Sequence, residues 1–235
     1  EGVTPVETTG QVRWFKRPTP GHTYLVSLDP SMGTGGDYAA IQVFELPTFE
    51  QVGEWHHNQT PMNQQVRILQ GINKHIHDTI IEKDSTATPQ IFYSMENNTI
   101  GEAALMRVMD IGEENIVGMF LSEPIRKGHR RKFRRGFNTT AKHKIDACTK
   151  FKELVEGGKM KINSQLLISE MKDFVASGLS YKAKPGQHDD LVSSCLLMTR
   201  MMKVLADFDP KIFEKWTDRT SELTTPMPIF GNFYG

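Results

Sequence analysis

Apolar residues recur along this chain in two rhythms, one suited to strands and one to helices. The run Thr23–Leu28, TYLVSL, is apolar almost without a break and ends on Asp29, before the turn-rich stretch Pro30–Gly36. Ala39–Leu46 and Gln51–His57 follow as further strands, separated only by Pro47-Thr48-Phe49-Glu50. Strands joined by so short a loop pair as neighbours, so these three predict an antiparallel meander. After Thr60-Pro61 the rhythm changes. Val66, Leu69, Ile72, Ile76 and Ile80 recur at intervals of three and four, which predicts a long helix to about Glu82.

Gln90–Met95, QIFYSM, is a second apolar run that ends on an acid, Glu96. Coming after a helix, it predicts a parallel strand in the sheet interior. A helix is expected over Ile100–Met109, a short strand near Asn115–Met119, and a helix over Ala141–Glu156 stopped by Gly157-Gly158. Lys159–Ile162 reads as a short strand, Leu166–Val175 as a helix, and Asp189–Ala206 as a last strong helix. The order is that of a mixed α/β sheet, an antiparallel three-strand meander plus parallel strands, flanked by helices; an all-parallel sheet is excluded. The domain is expected over 23–206, between an N-terminal arm, 1–22, and a Pro- and Thr-rich tail, 207–235.

Composition narrows the picture without deciding it. The chain has 235 residues, enough for one sizeable core, and begins at Glu1 rather than Met, which reads as a fragment or processed piece. Lys plus Arg and Asp plus Glu both number 28, so no overall basic excess advertises nucleic-acid binding. Two cysteines, Cys148 and Cys195, both in helical segments, fit neither a disulfide framework nor a zinc site and suggest a reducing compartment. No apolar run approaches the roughly eighteen residues of a membrane span, and no signal peptide is visible, so no membrane partner is expected.

The chemistry gathers at acids. Asp29 and Glu96 each follow one of the two most apolar strands, and Asp189-Asp190 opens the last helix. Adjacent strands bring their ends together, and a covering helix adds its N-terminus to the same spot. Converging carboxylates repel and need compensating charge, which hard divalent cations supply. Two such ions about 3.5–4 Å apart clamp the attacking and leaving oxygens of a phosphodiester displacement. Each acid has a plainer explanation: Asp29 as a turn starter before Pro30, Glu96 as a loop residue beside Asn97-Asn98, one of Asp189 and Asp190 as a helix cap. The glycines of Gly33-Thr34-Gly35-Gly36 lack the Lys-Ser/Thr ending of a phosphate loop, and Ala40 stands where a calcium loop needs Glu.

A second signal is basic. Arg126, Lys127, Arg130, Arg131, Lys132, Arg134 and Arg135 place seven cations in ten residues, without matching acids in the sequence nearby. A solvated loop and a phosphate-backbone contact both fit. Trp14 with Arg13, Lys16 and Arg17 is a weaker patch of the same kind.

LVSLDPSMGTGGDYAAIQVFE, IFYSMENNTIG, GFNTTAKHKIDAC and GQHDDLVSSCLLMTR, in that order, resemble the C-terminal nuclease domain of the tailed-phage large terminase subunit, most closely its T-even-like branch. The resemblance spans roughly residues 20 to 206 and implies a ribonuclease-H-like fold. It implies an acidic triad binding Mg²⁺ or Mn²⁺, two ions, at Asp29, Glu96 and one of Asp189 and Asp190, assisted by Asp37, eight residues after the first acid. The stretch Thr140–His143 matches the segment before the helix that feeds the site. The function implied is cutting concatemeric viral DNA during packaging, largely without sequence preference, in the host cell cytoplasm. Double-stranded DNA, an ATPase domain of the same polypeptide, the portal and the small terminase subunit are the partners implied. No Walker A motif occurs here, so the nuclease half alone is expected. Holliday-junction resolvases share the carboxylate logic. A DNA clamp without catalysis would use the basic loop alone. Actin-like ATPases share the first strand but repeat the fold twice, and no repeat is present.

Overall fold

The computed structural model describes residues 2–124, 135–177 and 180–208. Its centre is a seven-stranded mixed sheet. The strands are β1 (Glu7–Thr9), β2 (Val12–Trp14), β3 (Thr23–Asp29), β4 (Ala39–Leu46), β5 (Glu50–His57), β6 (Gln90–Met95) and β7 (Met119–Phe120), in the spatial order β1-β2-β5-β4-β3-β6-β7. The meander β3-β4-β5 is antiparallel, and β6 lies parallel to β3 with Leu28 opposite Met95.

Both faces of the sheet are covered, which is why its central strands are apolar at successive positions. Tyr24, Val26 and Leu28 pack under α1 (Met62–Lys83), whose stripe Val66, Leu69, Ile72, Ile76 and Ile80 is buried, and beside α2 (Thr99–Ile111). Leu25, Ala40 and Phe44 pack on the other face against α3 (Ala141–Glu156), α4 (Gln165–Asp173) and α5 (Asp190–Phe208). The alternation along β3 therefore divides one strand between two cores. Cys148 and Cys195 are both buried free thiols in the second. Among the described residues no helix is long and apolar enough to cross a membrane.

Several elements differ from expectation. Residues 1–22, expected as an arm, contribute β1 and β2, and β2 pairs with β5. Trp14 is 1% exposed, packed on Gly53 and stacked on His75 at 4.5 Å. The basic residues around it are neutralised within the fold: Arg13 meets Glu54 at 2.8 Å, Lys16 pairs with Glu45 and Glu50, and Arg17 lies 3.4 Å from Glu7. The strand expected near 115–119 becomes a single 3-10 turn, Glu113–Asn115, and then β7. Lys159–Ile162 makes only an isolated bridge, Lys161 to Glu50. The helix expected to Val175 stops at Asp173, and Phe174–Ser177 (β8) pairs antiparallel with Ser180–Ala183 (β9). α5 runs to Phe208; residues 209–235, most of the expected tail, lie outside the described residues.

Candidate active site

Three elements deliver acids to one end of β3. Asp29 is its last residue. Glu96 follows β6 at the same level, its N–H donating to the Leu28 carbonyl at 3.3 Å, as the parallel register requires. α5 completes the set, because Ser194 rests on Ser27: the Ser27 hydroxyl donates to the Ser194 carbonyl at 2.9 Å. Asp190 lies one helical turn before Ser194, on the same face of α5.

The electrostatics place these acids within reach of one another. The Asp29 carboxyl is raised well above the ordinary carboxylate range, first by burial, then by the charges of Glu96 and Asp190, a hydrogen bond to Glu96, and the charge of Asp189. By surface area Asp29 is half-buried. Burial and Asp189 push Asp190 up to about 6, and Asp37 adds to the shift, while His188 and the Tyr38 N–H oppose it. Asp37, itself exposed, thus sits close enough to Asp190 to matter. The charges that raise Asp29 are all those of other acids; that arrangement accumulates repulsion and is relieved by a cation.

Each acid is held by neighbours. Asn98 Nδ2 donates to Glu96 Oε2 at 3.1 Å, while Asn98 Oδ1 caps α2 by accepting from the Gly101 N–H at 2.7 Å. Gly101 permits this approach: a Cβ there would lie 1.7 Å from the Glu96 carbonyl oxygen. The turn after Asp29 is held by Gln65 of α1, which donates to the Ser31 and Thr60 carbonyls at 2.8 and 2.7 Å. Gly33 in that turn has φ +69°, and a Cβ would lie 2.1 Å from the Thr60 carbonyl oxygen. Asp189 Oδ2 accepts from the Ala183 N–H at 3.2 Å, tying β9 to the start of α5.

Two residues near the site carried no signal in the sequence. Glu170 of α4 accepts from the N–H groups of Leu191 and Val192 at 2.9 and 3.2 Å. Burial pushes it up to about 7 against those bonds, with Asp190 and Asp189 adding to the rise. His56 stacks on Tyr38 at 4.1 Å and is driven down to about 4, by burial first and then by Arg13, His188 and His57.

The basic run divides. Arg126, Lys127, Arg130, Arg131, Lys132 and Arg134 lie outside the described residues. Arg135 is described and has an acidic partner, Glu113, that the local sequence did not reveal. Its carbonyl accepts from Asn97 Nδ2 at 2.7 Å, and Phe137 bridges to Glu96. The run therefore ends beside the acids. Thr140 caps α3 by accepting from the His143 N–H at 3.2 Å.

Hard carboxylate oxygens suit a divalent cation such as Mg²⁺ or Mn²⁺. Among the described residues, however, no three His, Cys, Asp or Glu side chains are drawn together tightly enough to hold an ion as they stand. The donor chemistry fits and the spacing is open. The Asp29 and Glu96 carboxylates repel one another, which a cation between them would relieve.

The model of the terminase RNaseH-like domain family matches residues 26–201. Among solved structures, the large terminase nuclease from thermophilic phage G20c superimposes with a TM-score of 0.61 at 18% identity, covering 83% of this chain and 91% of that one. The same nuclease with bound magnesium gives 0.61 at 17%, covering 83% and 90%. The human cytomegalovirus terminase nuclease domain, Mn soaked and inhibitor bound, gives 0.52 at 14%, covering 82% and 86%. The ribonuclease-H-like fold expected from the sequence is the fold observed.

Proposed function

The chain belongs to the terminase RNaseH-like family, and we propose that it is a metal-dependent endonuclease that cuts double-stranded viral DNA during genome packaging. One observation carries the reading: Asp29 ends β3 beside Glu96 on the neighbouring strand and Asp190 at the start of α5, and the charges of these acids, with that of Asp189, raise its carboxyl. Such a cluster is costly unless a cation joins it. In this reading Asp29, Glu96 and Asp190 hold two divalent ions, Mg²⁺ or Mn²⁺, with Asp189 and Asp37 at the margin. Asp190 is preferred to Asp189 because its charge acts more strongly on Asp29 and it lies one turn before Ser194, on the face of α5 that meets β3.

Bound there, the ions supply the positive charge that stabilises the attacking and leaving oxygens of the displacement. The residues do the rest. Asn98 orients Glu96, His188 stands beside Asp190, and the turn held by Gln65 fixes Asp29. Phosphate contacts carry no sequence information, so an enzyme that holds DNA by its phosphates cuts with little sequence preference. Magnesium bound to the phage G20c nuclease supports the choice of ion. The wider setting follows the family: concatemeric DNA as substrate, an ATPase domain of the same polypeptide, portal and small terminase subunit as partners, and the host cell cytoplasm.

Supercoiled plasmid incubated with and without Mg²⁺ or Mn²⁺, using the wild type and Asp29→Asn, tests this directly. Metal-dependent nicking and linearisation that Asp29→Asn abolishes is expected. Equal cleavage by the variant, or cleavage that survives chelation, overturns the reading.

A further inference from the structure

Helix α5 starts against the core, and the residue at its boundary does not cap it. Asp189 sends its carboxylate to the Ala183 N–H instead of back to the first turn. A helix start leaves about four N–H groups without acceptors in the helix. Leu191 and Val192 are both 0% exposed, so water cannot serve theirs. The acceptor comes from another helix: Glu170 Oε2 takes both, at 2.9 and 3.2 Å.

The other oxygen closes a ring. Glu170 Oε1 lies 3.8 Å from His56 Nε2, a buried nitrogen without a hydrogen-bond partner among the described residues. His56 stacks face to face on Tyr38, whose edge meets His188 at 4.8 Å. His188 Nδ1 in turn lies 3.7 Å from Asp190 Oδ2. Glu170, His56, Tyr38 and His188 thus form a chain of contacts that leaves the first turn of α5 at Leu191 and Val192 and returns to it at Asp190.

We propose that Glu170 is a positioning residue for the metal site, fixing the start of α5 and so the direction in which Asp190 presents its carboxylate. The inference rests on the reading of Asp190 as a ligand. A cap alone would be met more cheaply by Asp189 or a serine in its place. Using Glu170 adds one more acid beside two others, but leaves Asp189 free to hold β9, and makes Asp190 the first helical residue of a turn anchored from outside.

The test is Mn²⁺ binding by calorimetry, alongside the Mn²⁺ dependence of plasmid cleavage, for the wild type, Glu170→Gln, Glu170→Asp and Glu170→Ala. The Gln amide oxygen can accept the same two N–H groups without charge, whereas Asp keeps the charge and falls short. Glu170→Ala and Glu170→Asp should each weaken Mn²⁺ binding about 10- to 100-fold, as losses behind a ligand do. Glu170→Gln should stay within roughly fivefold of wild type, the difference between a charged and a neutral acceptor. Should Glu170→Ala fail to melt cooperatively, the Gln and Asp variants decide. Unchanged binding in Glu170→Asp overturns the proposal, and loss in Glu170→Gln as deep as in Glu170→Asp means that Glu170 acts by charge, as a ligand. A wild type that binds no Mn²⁺ overturns the metal reading itself.

Discussion

Ser27 and Ser194 join the central strand to the last helix, hydroxyl to hydroxyl at 2.8 Å and hydroxyl to carbonyl at 2.9 Å. Both are fully buried. From that contact Asp29 lies two residues along β3, about 6.6 Å, and Asp190 four residues back along α5, about 6 Å. The two steps are nearly equal, so the serine contact sets the level at which the acids meet. Only small side chains allow α5 to come this close.

Enlarging the contact should separate the acids. Ser194→Val is expected to cost about 1–3 kcal/mol through overpacking, and to reduce cleavage further than the lost stability explains. Urea titration gives the first quantity and a cleavage time course under conditions of full folding gives the second. Full activity in a destabilised variant would mean that the site does not depend on this spacing.

The acids themselves should divide by role. Asp29→Asn, Glu96→Gln and Asp190→Asn should each lower cleavage about a hundredfold or more, because a lost ligand forfeits several kcal/mol at the transition state. Asp29→Asn should also raise the metal-free melting temperature by relieving repulsion. Asp189→Asn, whose side chain oxygen can still accept from the Ala183 N–H, should retain most activity. An inactive Asp189→Asn beside an active Asp190→Asn would reverse the assignment.

What was legible in the sequence was what the backbone dictates. Asp29 and Glu96 stood out because strands covered on both faces are nearly unbroken apolar runs, and an acid at the end of such a run is conspicuous. Asp189 and Asp190 stood out at a helix start. Glu170 did not: in QLLISEMKD it occupies an ordinary polar position, and its partners belong to a helix twenty-one residues away. The patch around Trp14 misled for the same reason, since Glu45, Glu50 and Glu54, which neutralise Arg13 and Lys16, arrive by sheet pairing from distant strands. The β8-β9 hairpin was hidden by apolar spacing that continues smoothly out of α4.

Metal-free stability should fall as pH rises toward 8. An acid whose folded-state value is raised destabilises fully above that value and not at all below its unfolded one. For Glu170 this window runs from about 7 down to 4.5, and for Asp190 from about 6 down to 3.8. His56 works in the opposite sense, its destabilising effect growing as pH falls from 6.5 to about 4. Between pH 8 and 6.5 the acids dominate, and Glu170 alone accounts for about 1 kcal/mol, or roughly 2–4 °C in melting temperature. Added Mg²⁺ should raise the melting temperature at pH 8 and flatten the profile. A metal-free melting temperature that climbs steadily to pH 8 would refute the buried-acid account.

Asn98 separates orientation from folding at Glu96. Its Oδ1 caps α2 and its Nδ2 steadies the Glu96 carboxylate, so one side chain serves two elements. Asn98→Ala removes both and should cost about 1 kcal/mol of stability, the usual worth of a cap. Asn98→Asp keeps an acceptor for the Gly101 N–H, and its negative charge favours a helix N-terminus. It also places an uncompensated carboxylate 3.1 Å from where Glu96 Oε2 now accepts a hydrogen bond. Folding should therefore survive Asn98→Asp while the site does not, with a lower cleavage rate or a shifted metal requirement at unchanged melting temperature. If Asn98→Ala and Asn98→Asp lose activity only in proportion to stability, Asn98 is a helix cap and nothing more, and Glu96 takes its orientation from the Gly101 approach and the Phe137 bridge alone.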